Sequence, residues 1–402
     1  MKKWNLVIAL AAFVFCSTAV IPVAHAERGV TDTEIRIGQW GPQTGPAALW
    51  GAVARGTDLY FRMINEAGGI HGRKIKYFSR DNAYQPPRTK AIVKELVEDK
   101  EVFAFVGGIG TASNMAVKKY LNNKKVPWVC PVGGSTSWAF PPTKYRFGFY
   151  PLYCDEAAIL IDYAVKKLGK KRIASFYQND DYGKGGLYGA ELALAKYGMK
   201  LAAAVPVEPL DTDLGSHCIK LKEAKADCVL MWVLPKHGAI MLITAEKVGY
   251  KPQWMTSSTL SDTQIMYKIT KGLYQDVIFT IFAELPDSTN PLMKRYKQAQ
   301  GKLAPKERWG IFYYAGIVFA EPMIEALKRC GRNLTADNFV NSMETLKGFQ
   351  GIGPKITYGP NQRHGSQSSY LGKCTEGGKA VLISDLMDAD IDVREIIKRF
   401  CR

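Results

Sequence analysis

The sequence contains few of the residues that form metal and disulfide sites. Its 402 residues include 8 cysteines and 5 histidines, and this low cysteine content excludes a small scaffold held together by many disulfides. No two cysteines are spaced C-x-x-C and no two histidines H-x-x-x-H, so the spacing gives no indication of a zinc site. We therefore expect a protein that uses no metal or other cofactor.

Two common enzyme motifs are incomplete or absent. The stretch 107–113 resembles the dinucleotide-binding pattern G-x-G-x-x-G, but its last position is Ser113, and no acidic residue lies near the end of the following strand. The G-x-S-x-G motif of α/β hydrolases does not occur. Asp180 and Asp181 are adjacent carboxylates, but such a pair more often orders the start of a helix than acts in catalysis. We therefore expect that the protein is not an enzyme.

A long apolar run occurs at the start of the chain and nowhere else in the sequence. Lys2 and Lys3 precede apolar residues 6–23, and Ala24-His25-Ala26 follows with the small-x-small pattern of a signal peptidase site. A membrane anchor is the less favoured alternative, because the run is short and contains Pro22. Residues 1–26 are thus predicted to be a signal peptide cleaved after Ala26, which places the mature protein in the periplasm.

The chain is strongly basic, with a net charge of +17. The predicted signal peptide holds two lysines and no acidic residue, so the mature charge is +15. The basic residues are scattered in short groups such as 124–125, 166–167 and 170–172, without interleaved aromatics. This scatter argues against a nucleic-acid partner, and we expect a soluble monomer.

Seven cysteines remain in the predicted mature chain. This is an odd number, and the sequence leaves their pairing open: Cys130, Cys154, Cys218, Cys228, Cys330, Cys374 and Cys401.

The rest of the chain alternates between strand and helix patterns. Fully apolar stretches at 102–106 and 228–233 are typical of buried parallel strands, and helical spacing of apolar residues separates them from the next strands. This order predicts an α/β fold built from two doubly wound units of similar size. In such sheets a ligand binds beyond the carboxyl ends of the strands, so the strand-to-helix loops are the candidate site.

Two of these loops belong to the first predicted unit and point to an anion. After the third strand, Gly110, Thr111 and Ser113 bring backbone N–H groups and two hydroxyls to the start of a helix, which suits an oxyanion. After the fourth strand, the turn 133–136 adds further amides and hydroxyls. Simple helix capping by these hydroxyls is the alternative. The residues predicted to bind the ligand here are Gly110, Thr111, Ser113, Gly133, Gly134, Ser135 and Thr136.

Two other loops contribute aromatic residues. Trp50 ends a Gly/Pro-rich loop after the first strand, where it would cover an apolar part of a ligand. Tyr182 lies in the loop that opens the second unit and is predicted to face the cleft. For both residues a purely structural role, as a packing tryptophan or a surface tyrosine, stays open.

These loops carry a family resemblance. Four motifs occur in order along the mature chain. They are Thr44-Gly45-Pro46 with Trp50-Gly51, the stretch 64–75, Asp81, and Asn179-Asp180-Asp181-Tyr182-Gly183. The sequence resembles periplasmic substrate-binding proteins of the leucine/isoleucine/valine-binding type, which serve ABC importers. The resemblance implies two Rossmann-like lobes joined by a three-stranded hinge, a membrane permease as partner, and Tyr182 as a ligand contact in the second lobe.

The same resemblance implies how the chain divides. Residues 27–149 and about 284–355 would form the first lobe, and residues 150–283 and about 356–402 the second. The two lobes would close on the ligand like a clamshell. A ligand-sensing protein for a membrane receptor is the main alternative function, and a secreted α/β enzyme is less favoured.

The sequence departs from the family at two positions that matter for the ligand. Amino-acid-binding members have a tyrosine after the strand at 228–233, where this chain has Trp232 and the residues that follow it. They have a glutamate for the ligand's ammonium group where this chain has Ser258. An unpaired buried ammonium costs several kcal/mol. We therefore expect a small carboxylate or amide with an apolar or aromatic body, held between Trp50, Tyr182 and Trp232, although Asp262 keeps a branched-chain amino acid open as the ligand.

Overall fold

The computed structural model describes residues 27–400, so the predicted signal peptide and Cys401 lie outside the described residues. Within this range no helix combines the length and the apolar character needed to cross a membrane. The described chain forms two large β-sheets, each flanked by helices. We refer to each sheet with its helices as a lobe.

The first lobe begins with a parallel sheet in the order β2-β1-β3-β4-β5. Its strands are β1 (Glu34–Gly41), β2 (Lys74–Asp81), β3 (Ala104–Val106), β4 (Trp128–Val129) and β5 (Arg146–Phe147). Its helices are α1 (Ala52–Glu66), α2 (Pro86–Glu98) and α3 (Thr111–Asn123), with short 3-10 turns at Ala48–Gly51 and Thr136–Trp138. Gly68 and Gly69 follow α1 at positive φ, which ends the helix and turns the chain toward β2.

The second lobe repeats the same plan. A parallel set in the order β7-β6-β8-β9-β10 continues into β13, which is antiparallel to β10. The parallel strands are β6 (Ile173–Gln178), β7 (Ala203–Val207), β8 (Cys228–Trp232), β9 (Gln253–Thr256) and β10 (Ile278–Ile281). The helices are α4 (Tyr153–Lys166), α5 (Asp181–Ala195), α6 (Gly215–Glu223), α7 (Pro235–Lys247) and α8 (Thr263–Ile269), with a 3-10 turn at Ser258–Leu260.

The last third of the chain contributes to both lobes. The helices α9 (Pro291–Leu303), α10 (Ile311–Cys330) and α11 (Ala336–Glu344) return to the first lobe, where α10 packs along α1. The remaining elements are β11 (Lys347–Phe349), β12 (Ile356–Thr357), β13 (Ser368–Cys374), β14 (Ala380–Leu382), β15 (Met387–Asp388) and α12 (Val393–Phe400). β14 and β15 pair with β13, whereas β11 pairs with β12.

The chain passes between the lobes three times: after β5, after β10 and between β12 and β13. Hydrogen bonds join the first and third crossings, since Gly148 N donates to Arg363 O and Gly365 N donates to Gly148 O, both at 2.8 Å. At the second crossing Glu284 N donates to Ile352 O at 2.9 Å. The fold is therefore α/β with two lobes joined by three crossing segments, the arrangement that permits hinged closure.

The structure differs from the sequence-based expectation in several elements. We predict one strand over 126–132, but β4 spans two residues, because Cys130 adopts a φ of 53° that ends the extended conformation. The prediction also misses β5, α8, α11 and α12. Thr335 caps α11 by accepting a hydrogen bond from Asn338 N at 3.1 Å. None of these differences moves the strand ends that carry the candidate site.

Candidate functional site

A cavity lies between the lobes at the carboxyl ends of their strands. It holds about 370 Å³ of space, including the part that opens to solvent. The loops after β1, β2, β3 and β4 enclose it from the first lobe, and the loops after β6, β8 and β9 enclose it from the second. The lining residues are Ala47, Trp50, Tyr84, Ile109, Gly110, Thr111, Val132, Tyr150, Tyr153, Tyr182, Leu234 and Thr259.

The start of α3 forms the polar end of this cavity. Gly110 is the N-cap residue, with a φ of 104°, and no side chain caps the helix. The first N–H groups of α3 are thus left for another acceptor. The Thr111 hydroxyl lies 3.1 Å from the Tyr153 hydroxyl, so two further hydrogen-bonding groups stand beside the helix end. Together these groups suit an oxyanion such as a carboxylate.

The other polar residues predicted in the first lobe lie outside the cavity lining. Ser113 is buried against Asn82, whose Nδ2 donates to the Ser113 hydroxyl at 3.3 Å. Gly133 abuts Thr111, since a Cβ at Gly133 would lie 2.9 Å from the Thr111 hydroxyl. Gly134 O accepts a hydrogen bond from Tyr153 N at 2.8 Å. These residues therefore support the groups that line the cavity.

The remaining part of that turn forms a short 3-10 helix. The Ser135 hydroxyl caps this helix by accepting a hydrogen bond from Ser137 N at 3.3 Å, and Thr136 is its first residue. Neither residue lines the cavity. The structure thus assigns Ser135 the capping role that the sequence leaves open for these hydroxyls.

Tyr182 forms the wall contributed by the second lobe. It lies in the first turn of α5, which Asp180 caps by accepting from Tyr182 N at 3.0 Å. The Tyr182 hydroxyl donates to Val233 O at 3.0 Å and lies 2.6 Å from the Thr259 hydroxyl. The ring is therefore held at both ends, and it packs edge-to-face with the ring of Tyr153, the first residue of α4, at a centroid distance of 5.0 Å.

Trp232 and Ser258 lie behind the cavity wall. Trp232 is fully buried beneath α5, where a Cβ on Gly186 would come within 2.1 Å of the indole. The Ser258 hydroxyl lies 2.9 Å from the Tyr150 hydroxyl, and Ser258 N donates to the buried carboxylate of Glu156 at 2.8 Å. Neither residue lines the cavity, but Ser258 positions the adjacent Thr259, which does.

Trp50 connects the two lobes. Its indole Nε1 donates to Thr259 O at 3.1 Å, and its ring lies 4.7 Å from that of Phe312. A second bond across the cleft runs from Gln178 Nε2 to the Tyr84 hydroxyl at 3.4 Å. The lobes are therefore in direct contact, and the described arrangement is a closed one.

A family model described as a periplasmic binding protein matches residues 34–379. The chain belongs to this family. It is 27% identical over 295 residues to a Leu/Ile/Val-binding protein homolog 3 of Brucella melitensis, an alignment that covers 73% of this chain and 79% of the relative.

Solved structures of periplasmic binding proteins share the fold. A fatty acid ABC transporter substrate-binding protein from Thermomonospora curvata superposes with a TM-score of 0.83 at 23% identity, covering 90% of this chain and 95% of the other. A branched chain amino acid ABC transporter from Thermus thermophilus with bound valine also gives a TM-score of 0.83, at 16% identity, covering 91% and 99%. At these identities the likeness concerns the fold.

Among the described residues 27–400 of this periplasmic binding protein, twelve line the cavity, and none of the twelve is charged. Asp262, the residue considered for an ammonium group, instead pairs with Arg308 and accepts from Ile265 N as the cap of α8. Burial raises the pKa of Tyr84, Tyr150, Tyr153 and Tyr182 above the usual range, so their hydroxyls stay neutral. The cavity thus offers neutral donors and acceptors on aromatic and aliphatic walls.

Several lining residues are missed by the sequence analysis. Tyr84 follows β2, a strand end that has no Gly-rich or hydroxyl-rich pattern to mark it. Tyr150 lies on the first crossing between the lobes and Tyr153 begins α4 directly after it, a part of the chain that the strand-end rule does not consider. Thr259 is one residue beyond the predicted Ser258. The aromatic residues near 150 were a usable signal, because a chain crossing between two lobes must border their cleft.

Proposed function

We propose that this periplasmic binding protein is the extracytoplasmic solute-binding component of an ABC importer. Its ligand is a small molecule with one carboxylate or amide group and an apolar or aromatic body. The protein captures the ligand by closure of its lobes, carries out no chemical reaction, and delivers the ligand to a membrane permease.

The uncapped start of α3 inside an uncharged aromatic cavity is the observation that carries the proposal. Backbone N–H groups with the Thr111 and Tyr153 hydroxyls can replace the hydration of a carboxylate without a cationic side chain. The walls contributed by Trp50 and Tyr182 suit an apolar body. An ammonium group would lack an acidic partner in this lining, and that burial costs several kcal/mol.

The names of related proteins favour two ligand classes. The Brucella relative and the valine-bound structure point to branched-chain amino acids, whereas the Thermomonospora protein points to fatty acids. The absence of a charged residue from the described cavity lining favours the acid over the amino acid. Either ligand would shift the protein toward its closed form, because it would bind the closed form more tightly than the open form.

A matched pair of ligands tests this choice. Isocaproate has the carbon skeleton and carboxylate of leucine but no ammonium group. The mature protein, freed of co-purified ligand by unfolding and refolding, is titrated with both compounds by calorimetry. We expect isocaproate to bind more tightly than leucine, and mass spectrometry of the released native ligand to identify an acid or amide. Micromolar binding of leucine without binding of isocaproate contradicts the proposal.

A further inference from the structure

A second space lies next to the cavity, on the outer side of the same two chain segments. In the first lobe, Ala47 and Trp50 line the cavity, whereas Ala48 and Leu49 line this second space. In the second lobe, Leu234 lines the cavity and the proline that follows it lines the second space. The two spaces are thus separated only by the short turn that contains Trp50 in the first lobe and by the start of α7 in the second. We call the second space the lip groove.

The lip groove is apolar and larger than the cavity. It holds about 860 Å³ of space, including its open side, and Lys236 is the one charged residue among those that line it. Its second-lobe wall consists of aliphatic side chains on α7 and of Ile269 at the end of α8. Leu49 and Ile269 stand on opposite walls and keep 36% and 39% of their surfaces exposed. Large apolar side chains on both faces of a groove indicate a surface that something apolar covers.

No hydrogen bond or ion pair among the described residues joins the two walls of the lip groove, 45–49 and 234–243. The walls can therefore separate by a small amount without losing a polar contact between them. By contrast, the deeper contact from Trp50 to Thr259 holds the lobes together below them. An apolar chain can enter between the walls at a small energetic penalty.

We infer that the lip groove holds the tail of the ligand whose carboxylate lies at the start of α3. The ligand class is then an elongated monocarboxylic acid, with an alkyl or arylalkyl chain that leaves the cavity between Ala47 and Leu234. This inference rests on the proposed function and extends it from a small acid to a long one. Because both lobes supply walls, a tail in the groove contacts both lobes and so favours closure.

A series of straight-chain acids from butyrate to decanoate tests the inference, with dissociation constants measured by calorimetry on the mature protein. Each methylene that leaves water for the apolar groove is expected to tighten binding roughly fourfold. The gain continues beyond the length that the cavity holds and stops once the groove is filled. A series that shows no gain after the shortest acids overturns the inference but leaves the proposed function standing. Failure of every acid to bind overturns both.

Two variants on opposite walls identify the place of the tail. Ile269→Asn and Leu49→Asn are each expected to weaken decanoate binding by about five- to tenfold, from the loss of apolar contact, and to change butyrate binding less than twofold. Ile219→Asn is the matched control, because Ile219 is a helical isoleucine with 40% of its surface exposed and lines neither space. Equal effects of Ile269→Asn and Ile219→Asn on decanoate overturn the inference. Unchanged decanoate affinity together with impaired uptake by cells carrying Ile269→Asn also overturns it and assigns the groove to the import partner.

Discussion

The indole Nε1 of Trp50 donates a hydrogen bond to the backbone oxygen of Thr259, 3.1 Å away, and so joins the first lobe to the second. Thr259 in turn meets the Tyr182 hydroxyl at 2.6 Å, so the wall of the second lobe and the bond across the cleft share one residue. Closure of the lobes and formation of the cavity are therefore one structural event.

Trp50→Phe is expected to weaken ligand binding about five- to tenfold. The substitution keeps an aromatic ring but removes the N–H that donates to the Thr259 carbonyl. This hydrogen bond joins the two lobes, so its loss destabilises the closed form and not the open form. A lost hydrogen bond of this kind costs about 1–1.5 kcal/mol. Calorimetry measures the affinity, and small-angle scattering of the ligand-free protein should show a larger radius of gyration than the wild type.

Trp128→Phe is the matched control for this prediction. Its Nε1 donates to Gly107 O at 2.7 Å within the first lobe, so the same bond is removed without touching closure. This variant should lower the free energy of unfolding and leave affinity and radius of gyration near the wild-type values. If both variants weaken binding alike, the Trp50 bond has no particular role in closure.

Thr111→Val is expected to reduce the affinity for a carboxylate ligand about tenfold, because it removes a hydroxyl from the start of α3 at nearly constant shape. The affinity for the corresponding primary alcohol should fall less. Ser113→Ala is the comparison on the same helix, since the Ser113 hydroxyl contacts Asn82 rather than the cavity. Calorimetry with both ligands measures the difference. An equal loss for the two variants would place the ligand closer to Ser113 than the cavity lining indicates.

The fold could be predicted from the sequence to a greater extent than the site. Apolar runs such as 102–106 and 228–233 mark buried parallel strands, and their alternation with helices determines the order of a doubly wound sheet. Prediction of the site also requires the direction in which each side chain points. Trp232 and Tyr182 are both aromatic residues at or near strand ends, yet Trp232 points beneath α5 against Gly186 while Tyr182 lines the cavity. Only the approach of the neighbouring helix decides between these two outcomes, and no local pattern encodes it.

The stability of the protein should fall as pH rises through the range about 4.5 to 7, in part because of Glu156. Burial raises the pKa of this carboxyl from 4.5 to about 7 in the folded protein, although hydrogen bonds from Thr280 and Ser258 partly oppose the rise. Between these values the folded state binds more protons than the unfolded state, so the free energy of unfolding decreases with increasing pH. One group contributes at most about 1.4 kcal/mol per pH unit.

Glu156→Gln should flatten this dependence, because the amide cannot lose a proton. Denaturant unfolding at several pH values between 5 and 8 measures the slope for the variant and the wild type. Glu66→Gln, at the exposed end of α1, is the control and should leave the slope unchanged. A Glu156→Gln slope equal to that of the wild type would mean that Glu156 is ionised in the folded protein across this range.

Gly56→Ala should destabilise the protein by more than about 2 kcal/mol, through the contact between α1 and α10. A Cβ at Gly56 would lie 1.8 Å from the backbone oxygen of Tyr313, and one at Gly316 would lie 2.0 Å from that of Val53, so the two helices meet backbone to backbone. Backbone atoms cannot move aside as a side chain end can, and the helices would have to separate. Gly301→Ala, in α9 with no atom within 4 Å of the added Cβ, should instead stabilise the protein by about 0.5–1 kcal/mol. Denaturant unfolding of the two variants should therefore give changes of opposite sign, and a small loss for Gly56→Ala would show that α10 can move away from α1.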